Sequence, residues 1–214
     1  EYAKLVQNFG DVPWFDQVIE NTDYENLYKP RDSRSTVMDN VLADLQFACD
    51  NIRESDGQAG LTINKAVALA FTSRLMLFEG TWQKYREQNN ELAKKYLQAS
   101  KDAADKLLAM GKYSIHSDWK ELTSSISLAG NPEVILYREY EMGVKTHSLM
   151  SFQNTEAEGS SPSRSLVDSY LSANGLPIYQ AENTLYKGDK WFFDEMADRD
   201  PRLYANVRPD RLYL

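Results

Sequence analysis

A regular stripe of apolar residues begins near residue 35 and predicts the first long helix. Its members recur every three or four positions, at Val37, Val41, Leu45, Ala48 and Ile52. This spacing is typical of the buried face of an amphipathic helix. Ser35 or Thr36 is the expected N-cap, because Asp39 follows Thr36 at the spacing of a capping box. The polar, glycine-containing segment at 54–60 then ends the helix.

Two further helical patterns follow at short intervals. The second helix is predicted from about Thr62 to Trp82, and its small residues on one face would let another helix approach closely. The third is predicted from about Asn89 to Met110, and Gly111 supplies the C′ position at which helices commonly end. Three helices of this length with short polar links predict a mainly α fold. Residues 35–111 are expected to form a core of tetratricopeptide-like helix pairs.

The chain on either side of these helices carries weaker patterns. Residues 1–34 contain turn residues and aromatics without a period, and we interpret them as loops. Residues 111–116 and 132–140 look extended, and the second segment is rich in β-formers after an Asn-Pro turn. Short strands are therefore expected in these two segments.

The last third of the chain predicts loops and short helices. Residues 141–165 are rich in Ser, Gly, Glu and Asn and predict a long loop, which in a compact domain is commonly functional. Residues 163–175 predict a short capped helix that ends at Gly175. Residues 112–214 as a whole are thus expected to combine short strands, loops and short helices.

Composition excludes several classes of function. The chain has 24 basic and 32 acidic residues, a formal net charge of −8, so it lacks the basic surface that nucleic-acid binding requires. Cys49 is the single cysteine, which excludes an internal disulfide or a cysteine zinc site. No apolar run approaches the roughly 18 residues that a membrane span needs.

A dense charge cluster surrounds Pro201 and predicts a structural clamp. Asp200 is a strong N-cap type, and proline is favoured at the first helical position. Arg199 and Arg202 carry guanidinium groups that bind carboxylates or exposed backbone carbonyls. No histidine lies nearby in sequence to support a catalytic interpretation. The expected role of the cluster is to hold a helix end against its neighbour.

The charge cluster around Pro201 is also one of several motifs that resemble those of a known protein family. Together these motifs extend over nearly the whole chain. RDPRL follows six other segments in the order in which they occur in the SusD/RagB family, and each segment alone is a weak signal. These are NFGDVP (8–13), RSTVMDNVLADLQFACDNI (34–52), TINKAVALAFTSRLMLFEGTWQKY (62–85), AADKLLAMGKYSI (103–115), NPEVIL (131–136) and PSRSLVDSYLSANGLPI (162–178). The chain therefore resembles the SusD/RagB family, whose members are nutrient-binding surface lipoproteins.

The resemblance implies an architecture and a partner. It implies a SusD-like fold of four tetratricopeptide-like helix pairs with a loop-rich ligand-binding face. Members of the family begin with a lipoprotein signal and continue well beyond the Arg-Asp-Pro-Arg motif. Residues 1–214 are therefore expected to be one SusD/RagB-like domain that is incomplete at both ends. The implied partner is a SusC-like TonB-dependent outer-membrane transporter, with lipid anchoring at the extracellular face.

Four residues are candidates for ligand binding. Glycans need aromatic rings, on which the C–H face of a sugar stacks, and planar polar groups for the hydroxyls. The long loop carries both types, and the resemblance places ligand contacts after the NPEVIL segment. The candidates are Tyr140, His147, Phe152 and Asn154. The alternative interpretation of this loop is a lid or a partner-contacting segment.

No catalytic, cofactor or metal site is predicted. Glu139 and Glu141 lie two positions apart at the end of a predicted strand, but glycosidase carboxyl pairs need a set separation across a cleft. His116 and His147 belong to no metal-ligand pattern. Nucleotide-binding glycine motifs and the Gly-x-Ser-x-Gly motif are also absent from the sequence.

The expected function is non-catalytic capture of a nutrient at the cell surface. The ligand expected is an oligosaccharide, which is passed to the transporter, and peptide is the family's known alternative. A different class also stays open at this stage: a tetratricopeptide-like scaffold that binds only proteins.

Overall fold

Three long helices form the main body of the first of two units. In the computed structural model, which describes residues 1–55, 57–149 and 162–207, this unit comprises Glu1–Ile115 and Leu128–Arg138. The second unit comprises His116–Ser127 and the chain from Glu139 onward. The first unit contains α1 (Tyr2–Phe9), α2 (Tyr24–Leu27), α3 (Arg34–Asn51), α4 (Lys65–Tyr85) and α5 (Asn90–Ala109). Among its described residues, the second unit contains α6 (Trp119–Ser124), α7 (Arg164–Ser169), α8 (Phe192–Met196) and α9 (Pro201–Asn206).

The three predicted long helices are confirmed, with shifted ends. The N-cap of α3 is Ser33, whose hydroxyl accepts from the Thr36 N–H at 3.2 Å, so the predicted cap at Ser35 or Thr36 was wrong. Asn64 caps α4, which begins three residues later than predicted, and Asn89 caps α5. Gly111 has a φ of 62°, in the left-handed region that favours glycine.

Helix α4 lies at the centre of the stack and contacts both α3 and α5. Its small residues permit the close approach that was predicted: a Cβ on Gly80 would lie only 2.6 Å from Leu97 Cγ of α5. The Ser100 hydroxyl of α5 donates to the Ser73 carbonyl of α4 at 2.8 Å. Apolar side chains fill the interior in two clusters, which include Val6, Val37, Met38, Met76 and Tyr96 in one and Cys49, Ala68, Leu69 and Ala103 in the other.

A buried ion pair crosses the first unit between α3 and α4. Arg34 donates to both carboxylate oxygens of Glu79, at distances from 2.7 to 3.1 Å. Gln83 Nε2 donates to the same carboxylate at 2.8 Å, and the Trp82 ring covers the guanidinium at 4.3 Å. Because both charges are buried, each depends on the other for compensation.

The interpretation of residues 1–34 as loops was partly wrong. Helix α1 is only two turns long, and it forms because Ala3 and Val6 are buried against α3. Tyr2 packs on the Trp14 ring, with ring centroids 4.4 Å apart. A helix this short is marginal in isolation, so tertiary packing rather than periodicity explains its presence.

The predicted short strands are also wrong for the described residues, which form no β-strand. Within 111–116 and 132–140, isolated bonds replace a sheet: the Ser114 N–H donates to Pro132 O at 3.0 Å, and the Tyr137 N–H donates to Gly60 O at 2.8 Å. A strand requires a neighbouring strand as well as β-forming residues, and none is available here.

The second unit consists of short helices joined by turns. Helix α7 is capped by Ser163, as the pattern predicted, but it ends at Ser169 and not at Gly175. Tyr170 already has extended backbone angles, and Gly175 instead serves a separate turn, where its N–H donates to Ser172 O at 2.8 Å. The expectation of one domain over residues 1–214 remains a prediction.

Candidate ligand-binding site

Residues 140–147 contain a tight hairpin turn in the second unit. The N–H of Glu141 donates to the carbonyl of Lys145 at 2.9 Å, and the N–H of Lys145 donates to the carbonyl of Glu141 at 2.9 Å. The chain reverses at Gly143. Its φ of 83° lies in the left-handed region, which glycine adopts at little energetic cost because it has no Cβ. The reversal brings Tyr140 and His147, two of the four predicted ligand residues, into contact.

Tyr140 and His147 form an edge-to-face ring pair. Their ring centroids lie 4.7 Å apart with an interplanar angle of 84°. Tyr140 is 46% exposed, so much of its surface is accessible to a ligand. His147 Nδ1 accepts from the Leu149 N–H at 3.2 Å, so the neutral imidazole carries its proton on Nε2. The pair therefore combines an aromatic surface with a hydrogen-bond donor.

Lys145 adds a positive charge to this ring pair. Its Nζ lies 5.8 Å from the centroid of the Tyr140 ring, within cation–π range. Lys145 was not predicted from the sequence, because its position beside Tyr140 depends on the turn at Gly143. The sequence feature that could have indicated Lys145 is Gly143, which lies between two polar segments that contain aromatic residues and so favours a turn there. We call Tyr140, Lys145 and His147 the hairpin site.

The other two predicted ligand residues, Phe152 and Asn154, lie outside the described residues and remain predictions. The tip of the hairpin carries two apolar side chains that were not among the predicted ligand residues. Met142 and Val144 are both strongly exposed there. An aromatic surface beside an apolar tip is suited to contacts with the apolar face of a ligand or partner.

The structure gives no support to the catalytic alternative. Glu139 and Glu141 are both exposed, and the backbone of Glu141 is held in the hairpin. His116 Nδ1 accepts from the Asp118 N–H at 3.1 Å, which is a local turn. Within residues 1–55, 57–149 and 162–207, no cluster of His, Cys, Asp and Glu is arranged to hold a metal ion.

Arg199, from the charge cluster, is buried at the centre of the second unit with 2% of its surface exposed. Its Nη2 donates to the carbonyls of Val167 at 2.8 Å and Tyr170 at 2.9 Å, and its Nη1 donates to that of Glu195 at 3.1 Å. Two of these carbonyls lie at the C-terminal end of α7, where helix carbonyls lack internal partners. The guanidinium thus joins the end of α7 to α8.

The rest of the cluster begins α9. Asp200 is the N-cap and accepts from the Arg202 N–H at 2.9 Å, with Pro201 at the first position of the helix. The Arg202 side chain donates to the same carboxylate, and together these bonds lower the pKa of Asp200 to about 2. Arg202 is exposed, and among the described residues its side chain binds the cap Asp200, whereas Arg199 is buried. The two arginines therefore differ in what they hold together.

A second arginine, Arg164, holds three acidic side chains near the start of α7. Its guanidinium lies 2.8 Å from Asp168, 3.2 Å from Asp189 and 3.0 Å from Glu195. The hydrogen bond that Arg164 donates to Asp168, together with the surrounding negative charge, raises the pKa of Arg164. We interpret this cluster as structural, because its three acidic side chains already contact the Arg164 guanidinium.

Two solved structures share the fold of this chain. A SusD-like carbohydrate-binding protein from Bacteroides fragilis matches it with a TM-score of 0.68 at 22% sequence identity, over 95% of this chain and 37% of that one. A SusD-like protein from the same organism matches with a TM-score of 0.64 at 20% identity, over 95% of this chain and 40% of that one. The chain thus spans about two fifths of the length of either structure.

Sequence comparison adds no closer assignment. No family model matches the chain, and no curated protein matches it. Among the described residues, no helix is both long and apolar enough to cross a membrane. The structural matches confirm the fold that the ordered motifs predicted: this chain has a mainly α, SusD-like fold.

Proposed function

We propose that this chain is part of a non-catalytic carbohydrate-binding protein that captures nutrients at the cell surface. The observation that carries the proposal is the structural match over 95% of the chain to a SusD-like carbohydrate-binding protein. The hairpin site supports the proposal independently. The exposed ring of Tyr140 can pack on the C–H face of a sugar, and the imidazole N–H of His147 can donate a hydrogen bond to a sugar hydroxyl. Function on this view is binding alone, without a reaction at the site.

Capture at the hairpin site rests on several weak contacts. The C–H face of a sugar ring packs on the Tyr140 ring, and a hydroxyl accepts from His147 Nε2. An aromatic contact of this kind is worth about 1 kcal/mol. Useful affinity for a polymer then comes from repeated contacts along one chain. This favours an oligosaccharide over a single sugar, with peptide as the competing ligand class.

Binding by variants with one ring removed tests the ligand. Tyr140→Ala should weaken binding in a glycan array and in affinity electrophoresis by about fivefold to tenfold, equivalent to about 1 kcal/mol. Tyr179→Ala is the matched control, because Tyr179 is a strongly exposed tyrosine of the same unit outside the hairpin. The proposal would be contradicted if the wild type, Tyr140→Ala and Tyr179→Ala bound glycan with equal affinity. Binding of peptides but of no glycan would also contradict it.

The proposed partner is a SusC-like TonB-dependent outer-membrane transporter, with the protein held at the extracellular face by a lipid anchor. The motif order and the SusD-like fold support this placement. Purification of the native protein from gently solubilised membranes should recover a large β-barrel protein and a lipidated form of this polypeptide. Recovery in the soluble fraction without a barrel protein would count against it.

A second candidate function, a protein-binding scaffold, is favoured by one feature of the first unit. A groove of about 590 Å³ lies between α1, α3 and α4, and it is lined by exposed and partly buried apolar side chains. These include Tyr2, Trp14, Val41, Leu45, Phe71 and Leu75. Phe71→Asp should abolish partner binding on this alternative and leave glycan binding at the hairpin site unchanged.

A further inference from the structure

A second cavity lies entirely within the first unit, at the N-terminal end of α4. Its volume is about 400 Å³, within the range of small-ligand sites. Three connecting segments enclose it: the loop before α4, the chain after α5, and residues 128–137. The side chains that matter for ligand chemistry are those of Glu54, Asn64, Lys112, Tyr113, Asn131 and Tyr137.

The walls of this cavity are held by backbone bonds between the three segments. The Tyr137 N–H donates to Gly60 O at 2.8 Å, and the Ser114 N–H donates to Pro132 O at 3.0 Å. The Asn131 side chain accepts from the Glu133 N–H at 3.0 Å and fixes the turn at this edge. The cavity is therefore formed before a ligand arrives, which lowers the entropy cost of binding.

Gly60 determines where the Tyr137 ring lies. A Cβ at Gly60 would be 2.8 Å from Tyr137 Cε1, closer than such atoms approach. The φ of Gly60 is also 79°, in the left-handed region that disfavours other residues. The ring therefore packs directly on the glycine backbone, and its position is set by the loop.

Asn64 brings an uncommitted donor to the cavity wall. The residue is only 8% exposed, and its Oδ1 accepts from the N–H groups of Ala66 and Val67 as the N-cap of α4. Its Nδ2 has no acceptor among the residues that the structure describes. Because Asn64 lines the cavity and this Nδ2 is not among the buried side-chain atoms left without a partner, the group can donate to a ligand or water there.

We propose that this cavity is a second saccharide-binding site, separate in the chain from the hairpin site and specific for one or two sugar units. The proposal rests on the proposed function for its ligand class. Tyr113 and Tyr137 supply aromatic surface, and Asn64 Nδ2 donates to a hydroxyl oxygen. Glu54, whose carboxylate also lies 3.9 Å from Lys65 Nζ, and Lys112 line the cavity with opposite charges, which favours a neutral polyhydroxyl ligand over an anion or a cation.

Replacing Asn64 by aspartate separates ligand binding from folding. Asp is as good an N-cap as Asn, so α4 stays capped, but the substitution Asn64→Asp removes the donor from the cavity. Asn89→Asp is the matched control, because Asn89 caps α5 by the same kind of bond and does not line the cavity. Gly60→Ala is a second variant that displaces the Tyr137 ring.

The measurement is a protein NMR titration with glucose, galactose, mannose and N-acetylglucosamine. Shifts at the amides of Gly60, Asn64 and Gly130 report this cavity, and shifts at Gly143 and Val144 report the hairpin site. In the Asn64→Asp protein we expect the cavity affinity to fall about tenfold, as for loss of one good hydrogen bond. Gly60→Ala should also weaken it, and Asn89→Asp should leave it unchanged.

The two sets of amides keep the two proposals distinguishable. Hairpin shifts without cavity shifts would overturn the second site and leave the proposed function standing. Cavity shifts that persist unchanged in Asn64→Asp would also overturn it, because the assigned donor would then play no part. Cavity shifts without hairpin shifts would uphold the second site and count against the hairpin as the capture site.

Discussion

In the first unit, called the helical unit below, the largest buried side chains are mostly apolar or aromatic, such as Tyr96, Met38 and Leu69. In the described part of the second unit, the largest buried side chain is that of Arg199. The helical unit buries the apolar faces of α3, α4 and α5 against one another. The described part of the second unit buries only Ser172, Met196, Arg199 and Leu203. The described part of this unit buries few apolar side chains, and hydrogen bonds to its backbone carbonyls hold it instead.

This comparison shows why the ligand site is expected in the second unit. Helices packed through apolar faces leave little backbone free for recognition, whereas turns expose polar groups and admit changes of sequence. Asn183 illustrates the polar alternative: its Nδ2 donates to Ser172 Oγ at 2.8 Å and to Pro177 O at 3.0 Å. Such bonds fix a loop without a hydrophobic core.

The largest expected effect comes from breaking the buried ion pair of the helical unit. Glu79→Ala should lower the free energy of unfolding by about 3–5 kcal/mol, because Arg34 is then buried without a counter-charge. Urea unfolding followed by circular dichroism measures this. Glu20→Ala, at an exposed position of the same unit, is the control and should change little. A loss below about 1 kcal/mol would show that water replaces the carboxylate.

The next largest effect should come from Arg199 in the second unit. Arg199→Met keeps much of the side-chain volume but leaves three backbone carbonyls without their donor, at a cost of about 2–4 kcal/mol. Hydrogen exchange should rise in residues 164–170 and stay unchanged in α4. Arg202→Met is the matched control from the same motif, and its exposed side chain predicts little change. Equal effects of the two substitutions would contradict the distinction between them.

A smaller effect is expected at the cap of α9. Asp200→Ala should cost about 1 kcal/mol of stability, the usual contribution of an N-cap, without changing glycan affinity. Thermal unfolding and the glycan titration measure the two quantities. Loss of affinity at normal stability would instead give Asp200 a role in the ligand site.

The pH dependence of the same residue sharpens this test. The pKa of Asp200 is about 2 in the folded protein and about 3.9 in an unfolded chain. The carboxylate therefore stabilises the fold above about pH 4, and this contribution is lost as the pH falls toward 2. Asp200→Asn keeps the cap but cannot titrate, so its deficit relative to wild type should shrink over that range. A constant deficit would contradict the role of the charge.

The smallest effect is expected from an exposed ion pair of the helical unit. Lys101 Nζ lies 2.5 Å from Asp105, one turn along α5, and both side chains are mostly exposed. Exposed pairs contribute little because water and salt screen them. Lys101→Met should leave the melting temperature within experimental error, in contrast to Glu79→Ala. A large shift would mean that exposed charge also stabilises this unit.

Sequence reasoning succeeded where a pattern is local and repeated. The three long helices were predicted because their apolar positions recur over five or more turns, and Gly111 was predicted as the C′ residue at the end of α5, where its φ is 62°. The SusD-like fold was predicted from motifs in a fixed order and is confirmed by the structural matches. The cap of α3 was misplaced because three of four consecutive residues, Ser33, Ser35 and Thr36, are all competent caps.

Prediction from the sequence failed where a contact between residues far apart in the chain decides the structure. Helix α1 exists because Val6 meets α3, and the extended segments at 111–116 and 132–140 found no neighbouring strand. Two of the three residues of the hairpin site were predicted: Tyr140 and His147 were chosen by residue type, but Lys145 was not. The cavity beside Asn64 was not predicted, because its walls come from three separate segments.

By itself the sequence determined the mainly α class, the three long helices, the absence of internal disulfides and the acidic charge that disfavours nucleic acid. These properties depend on composition or on residues a few positions apart. The tertiary structure alone decided that Arg34 pairs with Glu79 across 45 residues and that Arg199 binds the end of α7. A charged side chain carries no record in the sequence of which distant carboxylate or carbonyl it will meet, because burial and partner are both set by how the elements pack.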